Sequence, residues 1–233
     1  MLDDLKKQVC QANLELVARG LVVETFGNVS GIDRATGCVV IKPSGVSYDR
    51  LRPKHMVVIS YETGVVVEGD LRPSSDTPTH LALYRAFGRI GGVVHTHSLH
   101  ATAWAQARRQ VPPLGTTHAD YFPGPIPCTR PLTDEEIAAD YEANTGKAIV
   151  ERFAELDPAQ VRGVLVANHG PFAWGADAAE AVGSGFILEH LAHLASETLR
   201  VEPYPRPISE ALHAKHFARK HGPDRTYGQD RSR

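Results

Sequence analysis

Gly91-Gly92-Val93-Val94-His95-Thr96-His97, followed by Ala101-Thr-Ala-Trp-Ala-Gln-Ala107, is the stretch that decides the fold. Its first half reads as a strand, because β-branched Val93 and Val94 suit a pleated segment. Its second half reads as a helix. A strand that runs straight into a helix is the unit of an α/β sheet, and ligand sites gather where such strands end. On a strand, residues two apart share a face. His95 and His97 therefore can present two imidazoles to one ion, or stand as two polar residues at a strand end.

The same pattern recurs at Gly163-Val-Leu-Val166-Ala-Asn-His169-Gly170, an apolar strand ending in His at a glycine turn. His95, His97 and His169 together give the three-His pattern of a catalytic metal site, which keeps a position open for substrate. Asp76, at a helix start, is a fourth ligand, a nearby base or simply the helix N-cap. Nitrogen and carboxylate ligands favour Zn²⁺, with Mn²⁺ or Co²⁺ as possible substitutes.

Outward from these strands, the chain alternates strands and helices. Leu5, Val9, Ala12 and Leu16 mark an N-terminal helix that Gly20 closes. Cys38–Ile41, Met56–Ser60 and Val65–Glu68 read as strands, the last two joined by a turn at Glu62-Thr-Gly64. A helix starts near Asp76 with Pro78 in its first turn. Residues 111–131 are rich in Pro and Gly, with a short strand at most. Thr133-Asp-Glu-Glu136 is a capping box opening a helix to about Phe153. Phe172-Ala-Trp174 is a strand, Asp177 caps a helix to about Leu199, and a last helix spans about 208–220. The fold class expected is α/β: a three-layer sandwich whose central mixed, largely antiparallel sheet has helices on both faces. Residues 1–233 form one domain with a polar tail over 221–233.

Composition narrows the function. Lys and Arg total 25 against 27 for Asp and Glu, a balance that leaves no electrostatic footprint for nucleic acid or an anionic membrane. Three Cys beside twelve His exclude a disulfide scaffold and turn any metal site toward imidazole. The N-terminus lacks the apolar core of a signal peptide, and no run of apolar residues is long enough to span a bilayer, so a cytoplasmic protein is expected.

Three polar turns precede the histidines: Gly27-Asn28-Val29-Ser30, Lys42-Pro43-Ser44-Gly45 and Pro73-Ser74-Ser75. Gly45 lets the backbone approach a ligand, Ser44 offers a hydroxyl and an amide, and Ser74-Ser75 lead into a helix N-terminus, which favours an anion. Lys42 is either a charge near that anion or strand-end polarity. With the metal pattern, these turns suggest a small phosphorylated substrate.

The ordered set of motifs resembles the L-ribulose-5-phosphate 4-epimerase branch of the class II aldolase/adducin-head superfamily. It comprises Gly27-Asn28-Val-Ser, Lys42-Pro-Ser44-Gly45-Val, Pro73-Ser74-Ser75-Asp76-Thr-Pro-Thr-His, His95-Thr-His97-Ser, Gly115-Thr-Thr-His-Ala-Asp120-Tyr-Phe, Ile126-Pro-Cys-Thr-Arg130, Asn168-His169-Gly170-Pro and Tyr227-Gly-Gln229. The resemblance implies a nine-stranded mixed sheet and a homotetramer with active sites between subunits. It implies zinc on His95, His97 and His169, with Asp76 as a further ligand. It assigns the phosphate of a ketopentose to Ser44, Gly45, Ser74 and Ser75, with Gly27 and Asn28 also lining the site. It makes Asp120 and Tyr227 the acid/base pair, Tyr227 from a neighbouring subunit. The reaction implied is inversion of C4 of L-ribulose 5-phosphate, giving D-xylulose 5-phosphate by retro-aldol cleavage and re-addition. The alternatives are a class II sugar-phosphate aldolase of the L-fuculose-phosphate type, whose branch carries Glu where this chain has Asp76, and a non-enzymatic adducin-like binding module. Pro123 and Leu99-His100 depart from the family's pattern.

Overall fold

The computed structural model describes residues 2–222 and 226. Seven strands form one sheet in the order β4-β3-β2-β1-β5-β7-β6. They are β1 (Asn28–Asp33), β2 (Cys38–Ile41), β3 (Val57–Ser60), β4 (Val66–Glu68), β5 (Gly92–His95), β6 (Gly163–Leu165) and β7 (Pro171–Gly175). The helices are α1 (Leu2–Ala18), α2 (Thr77–Ala86), α3 (Leu99–Gln106), α4 (Thr116–Ala119), α5 (Asp134–Arg152), α6 (Ala178–Val201) and α7 (Glu210–His221).

β2, β3, β5, β6 and β7 read as largely apolar runs because both faces of the sheet are covered there, whereas the edge strand β4 is exposed. Val39, Ile41, Val57, Ile59, Val93, Phe172 and Trp174 point into one core, shared with α2, α3, α5 and the later turns of α6. Val40, Val58, Val94 and Ala173 alternate with them and pack against α1 and the start of α6. Strict alternation of destination, with apolar residues at every position, is what a strand between two helical layers requires. The expected three-layer architecture is therefore present.

Two expectations need correction. Among the described residues the sheet has seven strands rather than nine, and every strand pair is antiparallel. Parallel character survives among the described residues as one isolated bridge, Cys128 to Leu165. The Pro-rich region around it makes only single bridges, since proline cannot donate to a ladder. Second, Gly27-Asn28-Val29-Ser30 is not merely a turn: Asn28 begins β1, the central strand joining β2 to β5. Its polar sequence hides a strand because Ser30 and Asn28 find buried partners instead of water: Ser30 bonds His80 and Tyr84, and Asn28 donates to Asp76.

Candidate metal and anion site

β5 ends at His95, where Thr96 N makes a long last contact of 3.4 Å to Pro171 O on β7. His97 thus lies beyond the strand, not on it. The two side chains meet nonetheless, with Nε2 atoms 3.1 Å apart. His169 comes from the turn between β6 and β7, closed by Val166 N to Gly170 O and His169 N to Val166 O. Asn168 takes a left-handed φ of 63°, a conformation Asn tolerates better than most residues. Gly170 is required on other grounds: a Cβ there would stand 2.8 Å from Thr96 O. Larger residues would push the His169 turn off the end of β5.

The three imidazoles fit a divalent cation. One ring nitrogen from each of His95, His97 and His169 falls within 4.8 Å of the others. A tetrahedral ion bound at about 2.0–2.1 Å sets ligand nitrogens about 3.3 Å apart, close to the His95–His97 spacing. His95 Nδ1 lies 2.9 Å from Pro171 O and donates to it, which leaves Nε2 for an ion. Its ring stacks on Phe172 at 4.2 Å, and His97 stacks on Phe26 at 5.7 Å. Burial lowers the pKa of all three histidines. They are neutral at pH 7, the state in which an imidazole lone pair can ligate.

Asp76 sits beside them, but not as a side-chain cap. It occupies the N-cap position of α2 without a side-chain cap bond. Its Oδ2 instead accepts from Asn28 Nδ2 at 2.6 Å and from Ser74 Oγ at 3.5 Å. Burial pushes its pKa up, but His95, His80, Asn28 and His169 outweigh this and hold the carboxyl below the usual range. The pairing of Asn28 with His95 across β1 and β5 is what carries Asn28, and with it Asp76, to the histidines.

One cleft of about 370 Å³ gathers Gly27, Asn28, Lys42, Ser44, Gly45, Ser74, Ser75, Asp76, His95, His97 and His169. Its two serine turns are laced together by Ser44 N to Arg72 O and Ser74 N to Lys42 O. Ser44 therefore spends its amide inside the protein and presents its hydroxyl. Lys42 is buried, over the Tyr48 ring at 4.8 Å, and burial pushes its pKa down to about 8. Tyr141 and Glu142 also line the cleft. Neither stands out in the sequence, because both sit inside what looks like continuous helix.

Asp120 is elsewhere. It lies at the end of α4, not among the residues lining the cleft. It accepts from Arg219 Nε and Nη2 at 3.0 and 2.7 Å and from His216 Nδ1 at 3.0 Å. Burial favours its neutral form, yet the bonds from Arg219 and His216 and the nearby Lys220 hold it well ionised. Its backbone carbonyl accepts from His221. His216 of α7 is thus one of its partners. Tyr227 lies outside the described residues.

A cluster of three histidines that could hold a metal ion, in a cleft at the strand ends of an α/β sandwich, is the arrangement of a metal-site protein. Residues 7–196 match the model of the class II aldolase and adducin N-terminal domain family. The chain is 54% identical over 228 residues to L-ribulose-5-phosphate 4-epimerase UlaF of Salmonella paratyphi B (strain ATCC BAA-1250 / SPB7), covering 98% of this chain and 100% of that one. Among solved structures it resembles an L-fuculose 1-phosphate aldolase, with TM-score 0.76, 25% identity, and coverage of 91% and 94%. The L-fuculose-1-phosphate aldolase of Thermus thermophilus gives TM-score 0.68 and 27% identity, over 88% and 100% of the two chains. The chain belongs to the class II aldolase and adducin N-terminal domain family, its fold is that of the class II aldolases, and His95, His97 and His169 form a group that could bind a metal.

Proposed function

We propose that the protein is an L-ribulose-5-phosphate 4-epimerase, inverting C4 to give D-xylulose 5-phosphate. The observation that carries this reading is the cleft itself: three converging histidines face two serine turns, in a chain similar over its whole length to a protein named for that reaction.

Removing hydrogen from C4 would leave a carbanion without a resonance sink, because C4 is not adjacent to the C2 carbonyl. Cleaving C3–C4 instead leaves the electron pair on C3 as an enolate of the C2 ketone. The fragments are the enediolate of dihydroxyacetone and glycolaldehyde phosphate. Turning the aldehyde by about half a turn and re-forming the bond inverts C4. A divalent cation held by His95, His97 and His169, zinc by preference, supplies Lewis acidity toward the sugar oxygens when bound. Asn28 fixes Asp76 beside that position, as a further ligand or a neighbouring charge.

Ser44, Gly45, Ser74 and Ser75 hold the phosphate, with Lys42 beneath them. Anchoring there lets the aldehyde end rotate without escaping. Proton removal and return at the C4 oxygen need groups on two sides. We assign these to Asp120 and Tyr227, acting across a subunit boundary in a homotetramer, because Asp120 does not line the cleft of its own chain. Arg219 and His216 of α7 hold Asp120. We place the enzyme in the cytoplasm.

Incubating zinc-loaded protein with L-ribulose 5-phosphate tests the reading, and D-xylulose 5-phosphate is the expected product. Accumulation of free aldehyde and ketone without epimer would sink it in favour of the aldolase reading, which the likeness to L-fuculose 1-phosphate aldolases supports.

A further inference from the structure

α5 is not one helix. At Asp140 the backbone leaves helical geometry, with φ −157° and ψ 89°. Asp140 then acts as a new N-cap, its Oδ1 accepting from Ala143 N at 3.1 Å. Asn144 Nδ2 reaches back to Glu136 O at 2.8 Å and satisfies a carbonyl of the first segment. The second segment starts at Tyr141 and is fixed at its first turn. Thr145 Oγ1 donates to Tyr141 O and Thr79 Oγ1 of α2 donates to Glu142 O, at 2.8 and 2.6 Å. The close approach of α2 and α5 depends on Gly146, where a Cβ would meet Ala82 Cβ at 2.6 Å.

The break aims Tyr141 at the histidine cluster. Its hydroxyl lies 3.2 Å from Nδ1 of His169, and the two rings are 5.8 Å apart. His95 has a backbone carbonyl on its outer nitrogen; Tyr141 occupies the equivalent place on His169.

We propose that Tyr141 is the positioning residue for His169: its phenolic oxygen accepts Nδ1–H, which fixes the tautomer that leaves the Nε2 lone pair for the ion. Groups on the outer nitrogen of a ligating histidine set its tautomer and ring angle. With the oxygen used as acceptor, the Tyr141 O–H is turned toward the cleft as a donor. The inference rests on the metal reading of the three histidines.

The test compares Tyr141→Phe with wild type by chelator competition for Zn²⁺ and by the visible spectrum of the Co²⁺-loaded protein. Loss of the hydroxyl should weaken Zn²⁺ binding about 10–100-fold and shift the Co²⁺ bands, with the thermal midpoint of the metal-free protein unchanged. Thr79→Val loosens the same segment without touching an imidazole, and should bind Zn²⁺ like wild type. Wild-type Zn²⁺ affinity and an unchanged Co²⁺ spectrum in Tyr141→Phe would overturn the proposal. Equal weakening in Thr79→Val would overturn it too, because the effect would then be one of packing. Wild type that binds no Zn²⁺ would fail the metal reading, a distinct result.

Discussion

Two regions of this molecule concentrate ionisable side chains, and they do so in opposite ways. At the end of β5, three neutral imidazoles turn ring nitrogens toward one point; the outer nitrogens of His95 and His169 meet a carbonyl and a phenol, and the face of His97 stacks on Phe26. At the end of α4, a single carboxylate is met on both oxygens by Arg219 and His216. The first cluster leaves a ring nitrogen on each histidine for a ligand, and the second orients one carboxylate and keeps it ionised. The difference teaches that grouping alone does not say what a cluster can do. What matters is whether lone pairs and protons are already satisfied by the protein.

The largest expected effect breaks the first region. His95→Ala removes the most buried of the three proposed ligands, and should abolish bound metal and lower turnover by more than about a thousandfold; metal analysis and an epimerisation assay check both. Retained metal with retained activity would dissolve the contrast.

Asp120→Asn attacks the second region. Epimerisation should fall by about a hundredfold or more with metal content unchanged, and stability should drop by about 1–2 kcal/mol as Arg219 and His216 lose a charged acceptor. Normal turnover would leave Asp120 as a tether for α7 only. The stabilising contribution of this carboxylate also has a defined pH range. Its folded pKa lies below the ordinary 3.8, so the contribution is complete above that value and is lost as pH falls below it. Acid titration of wild type against Asp120→Asn should converge in that range.

A smaller effect separates charge from geometry in the two serine turns proposed to hold the phosphate. Lys42 has a pKa of about 8, so its ammonium is present below that pH and lost above it. Affinity for sulfate, an anion whose own charge is constant here, should fall about tenfold between pH 7 and 9. Lys42→Met should bind more weakly and flatten that profile; a profile equally steep in the variant would remove Lys42 from the site.

The smallest effect lies away from both regions. Thr133 caps α5 reciprocally with Glu136, and Thr133→Ala should cost about 1 kcal/mol without changing metal affinity. A change in metal affinity would mean that the first segment of α5 also governs the cleft.

The sequence made the metal side legible because each histidine follows an apolar strand. Those strands are apolar at every position, and His stands out at their ends. Asn28 was harder: its polar neighbours Ser30 and Asp33 resemble a turn, and only pairing with β5 reveals a strand. Tyr141 and Glu142 were invisible because no Gly or Pro marks the break at Asp140. The available signal was the run Asn144-Thr145-Gly146, three poor helix formers in the middle of a helix. Asp120 was found by motif, but its partners lie about a hundred residues later on α7, and no local pattern connects them.

The double-sided burial of the sheet has an evolutionary consequence. Val39 through Ile41 and Val57 through Ile59 have no side facing solvent, so almost any polar change within them is destabilising. New chemistry can accumulate where the strands stop, at residues such as Asn28, Lys42, His95 and His169. The scaffold can stay fixed while its rim is rewritten, which is how chains only 25% identical still superimpose with a TM-score of 0.76.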